Sequence, residues 1–467
     1  MKKSYLMIAA AALLVACSNN DTIKEIVTPD NVIGFSTYTS KQTRAENSTN
    51  DNTDNLEAYN TNFKVWGYKN VYVNANPDNT NEYVFGHIVG QSETTYPGTV
   101  VTYNSTNQDW EYTPLRFWDK SANYYRFFAA SPANKSWKWN TSNDKVKLED
   151  FEINGENRVL DGTGAFGVLN STSGANNSAL LMSDVNDEDL MISDDVLKHI
   201  TYTSDEVNLM FNHILSRLNI GIRRCKELDD YIVKLNSLEI HNMIKKATFD
   251  ESTALTATNA GVYLPGTITD PTEAQLLKYG TSARWTGTDR FTGNEMKYYV
   301  ANQPLSIESI EPTSGTGTYD FVFQGLIIPQ VIGYQKTVEK ASQETGFILD
   351  GSNADTDSKP YIVLDYEIWT KDHSSEQYTD SDPEVIGGIA QAGDSKPASY
   401  KLDGYKYFYN LADVFNGNID ANNKTDITFC EGWQNTLLIT IKPTAITFDA
   451  EVYKWADNGE VPVDIEL

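Results

Sequence analysis

Apolar side chains recur at every second position in many short runs of this chain, and that period is its strongest constraint on fold. Ile362, Leu364, Tyr366 and Ile368 alternate with Val363, Asp365, Glu367 and Trp369. Ile446, Phe448, Ala450 and Val452 alternate with Thr447, Asp449 and Glu451, and Val461, Val463, Ile465 and Leu467 with Pro462, Asp464 and Glu466. A period of two puts one row of side chains on each face of a strand, so one face of each run asks for burial. Further strands are predicted at Phe63–Tyr68, Tyr124–Ala130, Val207–His213, Leu218–Ile222, Val233–Ile240 and Leu437–Ile441. Turns such as Asn76-Pro77-Asp78 and Tyr96-Pro97-Gly98 separate them. No helical pattern recurs between strands, which argues against βαβ units. The predicted class is all-β, with two β-sandwich domains in tandem.

The boundary between the domains is placed at the charged break Cys225–Asp230, giving an N-terminal domain over 31–228 and a C-terminal domain over 229–467. Val207–His213 and Leu218–Ile222 read as a strand pair joined by a short turn or helical segment at Ile214 to Arg217. The acidic stretch Ser183–Asp195 reads as a surface excursion.

The N-terminus has a different grammar. Lys2 and Lys3 precede an apolar run, Tyr5 to Val15, that is too short to span a bilayer and reads as a secretory signal over residues 1–16. Leu14-Val15-Ala16-Cys17 resembles a bacterial lipobox, which implies a lipid anchor on Cys17 and a polar tether over 17–30. Val32 to Tyr38 then reads as a short strand with Ile33 and Phe35 on one face. Thr39 to Asn55 carries almost no apolar residue, so Arg44 is expected in an exposed loop within reach of a protease.

Charge narrows the partners. Thirty-seven Lys and Arg stand against 64 Asp and Glu, a net charge of −27 that repels phosphate backbones and makes nucleic acid an unfavourable partner. The chain has no H-E-x-x-H, C-x-x-C or G-x-S-x-G motif, and its five histidines are scattered. Gly162 to Gly167 matches G-x-G-x-x-G by letter, but the polar stretch after it is no helix. The acidic segments Asp350–Asp357 and Asp380–Asp382 lack EF-hand spacing. No catalytic residue, metal or cofactor is expected, and the chain reads as a non-enzyme. Cys225 and Cys430 read as small buried side chains, a disulfide between them being the alternative.

Taken in order, several stretches resemble the fimbrillins, subunits of type V pili in Bacteroidetes. They are the lipobox at Cys17, the strand with Phe35, Arg44-Ala45, Phe63-Lys64-Val65-Trp66-Gly67 and Tyr125-Arg126-Phe127-Phe128-Ala129-Ala130-Ser131-Pro132. Leu209 to Leu218, Leu235 to Ile240, Ile327-Ile328-Pro329-Gln330 and Phe448 to Trp455 complete the set. The resemblance implies two transthyretin-like sandwiches and an outer-membrane, palmitate-bearing lipoprotein that becomes a fimbrial subunit supporting adhesion. It implies an Arg-specific protease cutting between Arg44 and Ala45 and loss of the strand carrying Ile33 and Phe35. A C-terminal donor strand of another pilin subunit, here Val461, Val463, Ile465 and Leu467, would then fill the gap. The surface ligand is left open. The alternative is an anchored lipoprotein that does not polymerise, either a pilus anchor or a glycan-binding module.

Overall fold

The computed structural model describes residues 32–39, 56–58, 60–73, 76–77, 82–89, 94–153, 157–160, 167–168, 189–199, 206–253, 284–291, 297–304, 320–334, 359–381, 386, 391–415, 426–442 and 446–454. They are overwhelmingly β, as the period of two predicts. They divide into two compact units. One is drawn from the chain up to Glu149, from Glu188–Ile214 and from Asp250–Ser252. The other is drawn from Asp150–Asp187, Leu215–Phe249 and Thr253–Leu467.

The main strands of the first unit are β1 (Phe35–Thr39), β2 (Asn62–Val73), β3 (Glu82–Phe85), β4 (Thr99–Asn104), β5 (Asp109–Glu111), β6 (Ala122–Ser131), β7 (Met191–Ser193), β8 (Val196–His199) and β9 (Val207–His213). One sheet runs in the order β1-β9-β7-β6-β2-β4-β5, with β8 beside β6 and β3 beside β2. Its core face carries Phe63 and Val65 from β2, Tyr125, Phe127 and Ala129 from β6, and Val207, Leu209 and Phe211 from β9. Each set is spaced by two, so the pleat alone delivers it to one side. The opposite face is also covered near Trp66, whose ring stacks on Trp139 at 5.4 Å and whose indole N–H donates to Tyr96 O at 3.1 Å.

In the second unit the main strands are β10 (Ser216–Arg224), β11 (Tyr231–His241), β12 (Lys297–Pro304), β13 (Asp320–Ile327), β14 (Tyr361–Thr370), β15 (Lys401–Asn410), β16 (Trp433–Ile441) and β17 (Ile446–Lys454). One sheet orders β12-β11-β14-β15 and the other β13-β10-β16-β17, each extended at its first edge by a short strand, Asn157–Leu160 and Gly167–Val168 respectively. Ile362, Leu364, Tyr366 and Ile368 on β14 are all buried. β10 and β16 run parallel from Arg217↔Gln434 to Arg224↔Ile441. Polar side chains tie the same two strands: Asn435 Nδ2 donates to Ser216 Oγ at 2.9 Å and Arg223 Nε to Thr440 Oγ1 at 3.0 Å. Cys225 and Cys430 are free and buried, and burial pushes their thiols up to about 11 and about 12.

Two local expectations need correction. Val207–His213 and Leu218–Ile222 do not pair with each other. The former lies between β1 and β7 and the latter between β13 and β16; the two units alternate along the chain, and one of the changes, between Ile214 and Leu215, lies shortly before the charged break at Cys225–Asp230. That break is only a short 3-10 turn, Lys226–Leu228. Nor is the end of the acidic stretch a surface excursion: Leu190, Met191 and Ile192 are buried, and β7 fills the sheet between β9 and β6. The acids around it have partners. Asp189 hydrogen-bonds His213 Nδ1, Asp194 accepts from Asn212 Nδ2 at 3.0 Å, and Asp195 pairs with Arg126. Paired carboxylates do not oppose burial of the apolar residues between them.

Lys69 on β2 reaches Asp119 at 2.7 Å, and the Ser121 hydroxyl and N–H bind the same carboxylate at 2.6 and 2.8 Å. These bonds hold Asp119 at about 2, against an ordinary 3.8. Because the folded value is depressed, the pair's contribution is fully present above pH 3.8 and is lost as pH falls through about 2. A carboxyl titration followed by NMR is expected to find Asp119 near the bottom of that window, and Lys69→Met to return it towards the ordinary value.

Candidate functional site

The leading strand β1 sits at the edge of the first unit's sheet and, among the described residues, pairs only with β9. The register is parallel, from Phe35↔Val207 to Thr39↔Phe211. Parallel neighbours cannot be joined by a tight hairpin, so β1 is held to β9 by side chains and ladder bonds and not by a local turn. The Val207 N–H donates to Gly34 O at 2.8 Å. A Cβ at Gly34 would stand 3.1 Å from Glu206 Cγ, so the two segments approach closely here.

Just before β1 the chain changes partner. Val32 bridges Phe117, the Ile33 N–H donates to Arg116 O at 2.9 Å, and the Tyr112 hydroxyl donates to Ile33 O at 2.6 Å. Burial pushes the Tyr112 phenol up to about 12, so it stays a neutral donor at any ordinary pH. The segment is thus clasped at Ile33 by the 112–117 turn and paired along β1 by β9.

Side chains from Val32 to Thr39 alternate between part-exposed and buried, which puts Ile33, Phe35, Thr37 and Thr39 inward. Ile33 and Phe35 are 0% and 1% exposed. The Phe35 ring meets four others edge-on: Phe85 at 5.4 Å, Tyr112 at 5.7 Å, Phe63 at 6.0 Å and Phe127 at 6.1 Å. Positive ring edges against negative faces make such pairs favourable by about 0.5–1.5 kcal/mol each beyond area burial. On the outward row, the Ser36 hydroxyl donates to Asn208 and Met210 is exposed.

Of the residues singled out in the sequence, the structure therefore brings Ile33 and Phe35 into one core at a sheet edge. Cys17, Arg44, Ala45, Val461, Val463, Ile465 and Leu467 lie outside the described residues. Among the described residues no three His, Cys, Asp or Glu side chains gather as a metal site.

A family model described as fimbrillin-like matches residues 43–301. The chain belongs to the fimbrillin-like family. This fimbrillin-like chain is similar to a fimbrial protein from Bacteroides vulgatus ATCC 8482, at 14% identity over 91% of this chain and 99% of that one, with a TM-score of 0.39. It is also similar to the tip fimbrial protein Mfa3 from Porphyromonas gingivalis with C-terminal truncation, at 10% identity over 85% and 94% of the two chains, with a TM-score of 0.26. No curated protein matches it.

Sequence reasoning passed over Tyr112 and the two threonines of the fimbrillin-like chain's leading strand. Tyr112 reads as one more strand aromatic, and nothing local announces a clasp onto a residue 79 positions earlier. Thr37 and Thr39 do follow the alternation that marks Ile33 and Phe35, so the period itself was the available signal.

Phe35→Ala is expected to destabilise the first unit by about 3–5 kcal/mol through lost burial and a cavity. Tyr112→Phe, which keeps the ring and removes the hydroxyl that donates to Ile33 O and accepts from the Arg116 N–H, is expected to cost about 1–3 kcal/mol. Urea unfolding of both variants measures the two steps.

Proposed function

We propose that this fimbrillin-like chain is a structural subunit of a type V pilus on the cell surface, supporting adhesion, and that copies join by strand exchange after proteolysis. Family membership supports the coarse reading: a fimbrial protein, structural and not enzymatic, that associates with other subunits. The observation that carries the finer one is a leading strand whose Ile33 and Phe35 belong to the core while its backbone is paired on one side only by β9.

In this reading, the lipid on Cys17 holds the precursor at the outer membrane until an Arg-specific protease cuts between Arg44 and Ala45. β1 is then no longer continuous with the domain it completes. Its loss uncovers an apolar slot and leaves β9 with a row of unpaired N–H and C=O groups, a template for another strand. The donor is Val461, Val463, Ile465 and Leu467 of a second copy. Burying four such side chains contributes about 6–12 kcal/mol as an upper bound, and each ladder bond about 0.5–1.5 kcal/mol net. Pro462 lacks an N–H, so it fits where that position faces away from β9. Groove and donor are different surfaces, so each junction leaves the next groove open and the contact propagates. Lys24, Lys41 and Arg44 balance Asp21, Glu25 and Asp30 in the 17–44 segment. Cleavage therefore leaves the net charge unchanged, and burial, not relief of repulsion, drives the exchange.

Limited digestion of purified protein with an Arg-specific protease is expected to give SDS-resistant ladders. Chains lacking residues 461–467, or carrying Arg44→Ala, are expected to remain monomeric. A wild-type chain cut at Arg44 that also stays monomeric overturns the proposal.

A further inference from the structure

The inward row of the leading strand is uneven. Ile33 and Phe35 fill their positions with apolar side chains, whereas the next two inward positions hold Thr37 and Thr39, 4% and 2% exposed. The Thr37 hydroxyl is buried and finds no hydrogen-bond partner among the described residues. A buried hydroxyl left unmade loses its water without replacement, so this position opposes the burial that Ile33 and Phe35 favour. Valine has nearly the same shape as threonine and carries no such penalty.

We infer that Thr37 makes the leading strand a deliberately poor occupant of its groove, and that the groove takes in its place a strand of a second copy with an aliphatic residue at that position. This rests on the strand-exchange reading above and adds to it the chemistry that selects the incoming strand. The candidate donor has the matching spacing. Its inward row, Val461, Val463, Ile465 and Leu467, equals Ile33, Phe35, Thr37 and Thr39 in number and in interval. Whichever direction the donor runs, an aliphatic side chain replaces each threonine. Cleavage at Arg44 frees the strand at its threonine end, five residues beyond Thr39, while the other end stays clasped through Tyr112 and Ile33. The weak half is therefore the half that the cut releases, and exchange begins there.

The test uses the full-length chain nicked at Arg44 and labelled near its N-terminus. Release of the cut segment is followed alone and with a synthetic peptide of residues 456–467. In wild type the segment is expected to leave measurably, and the peptide to accelerate it. Thr37→Val is expected to slow release about tenfold with or without peptide, while Thr37→Ser, which retains the hydroxyl, is expected to leave at close to the wild-type rate or faster. Release of Thr37→Val at the wild-type rate, or equal slowing by Val and Ser, overturns the inference. Failure of the peptide to accelerate release from wild type tells instead against strand exchange, because spontaneous release of Thr37→Val still judges the role of the hydroxyl. Unfolding midpoints of the uncut variants confirm that each is folded before nicking.

Discussion

Burial of the Phe35 ring at the edge of a sheet is the constraint on which the first unit depends. Edge strands usually contribute backbone pairing on one side and little core, and they can fray at modest cost. Here the edge strand supplies a ring that four other rings meet edge-on, drawn from β2, β3, β6 and the turn after β5. Those elements were built around an aromatic side chain that arrives from outside their own connectivity. Take it away and their packed surfaces face a slot, which loses contacts on every side and does not simply collapse.

Pairing and packing play separate parts in holding that ring. β9 provides a parallel ladder to β1 and the 112–117 turn provides the clasp on Ile33, so the backbone is held by two segments far apart in sequence. Neither is covalently close to β1. A segment so held is defined by complementarity with its surroundings, and another extended segment with a suitable inward row meets the same requirements. Within the resident row, the Thr37 hydroxyl is buried with no hydrogen-bond partner among the described residues.

Much of this was legible in the sequence, and what was not has physical reasons. The strands with an unbroken period of two, such as Tyr361–Thr370 and Ile446–Lys454, lie where the pattern placed them, because alternation is a local property. The inward direction of Ile33 and Phe35 followed from the same rule. Pairing did not. Val207–His213 and Leu218–Ile222 looked like a hairpin because they are close in sequence, yet β9 and β10 take partners from distant segments, including a parallel one each. Acidity around Met191 pointed to solvent because a single chain does not reveal that Asp189 meets His213 or that Asp195 meets Arg126. Tyr112 was hidden for the same reason: its role lies in where its hydroxyl lands.

The acidic composition adds a last condition. At a net charge of −27 two copies repel at long range, and a physiological salt solution confines that repulsion to about 8–10 Å. Association therefore has to be won at contact, by burial and by ladder bonds that salt does not screen. In the strand-exchange proposal, a groove still filled by its own strand would offer neither, so repulsion would dominate between uncut copies. Once the groove is empty, the slot around Phe35 and the unpaired edge of β9 both act at contact range, where the charge matters least. In the proposed strand exchange, cleavage would change this balance through burial and not through charge, and the switch would lie in which chain supplies the strand.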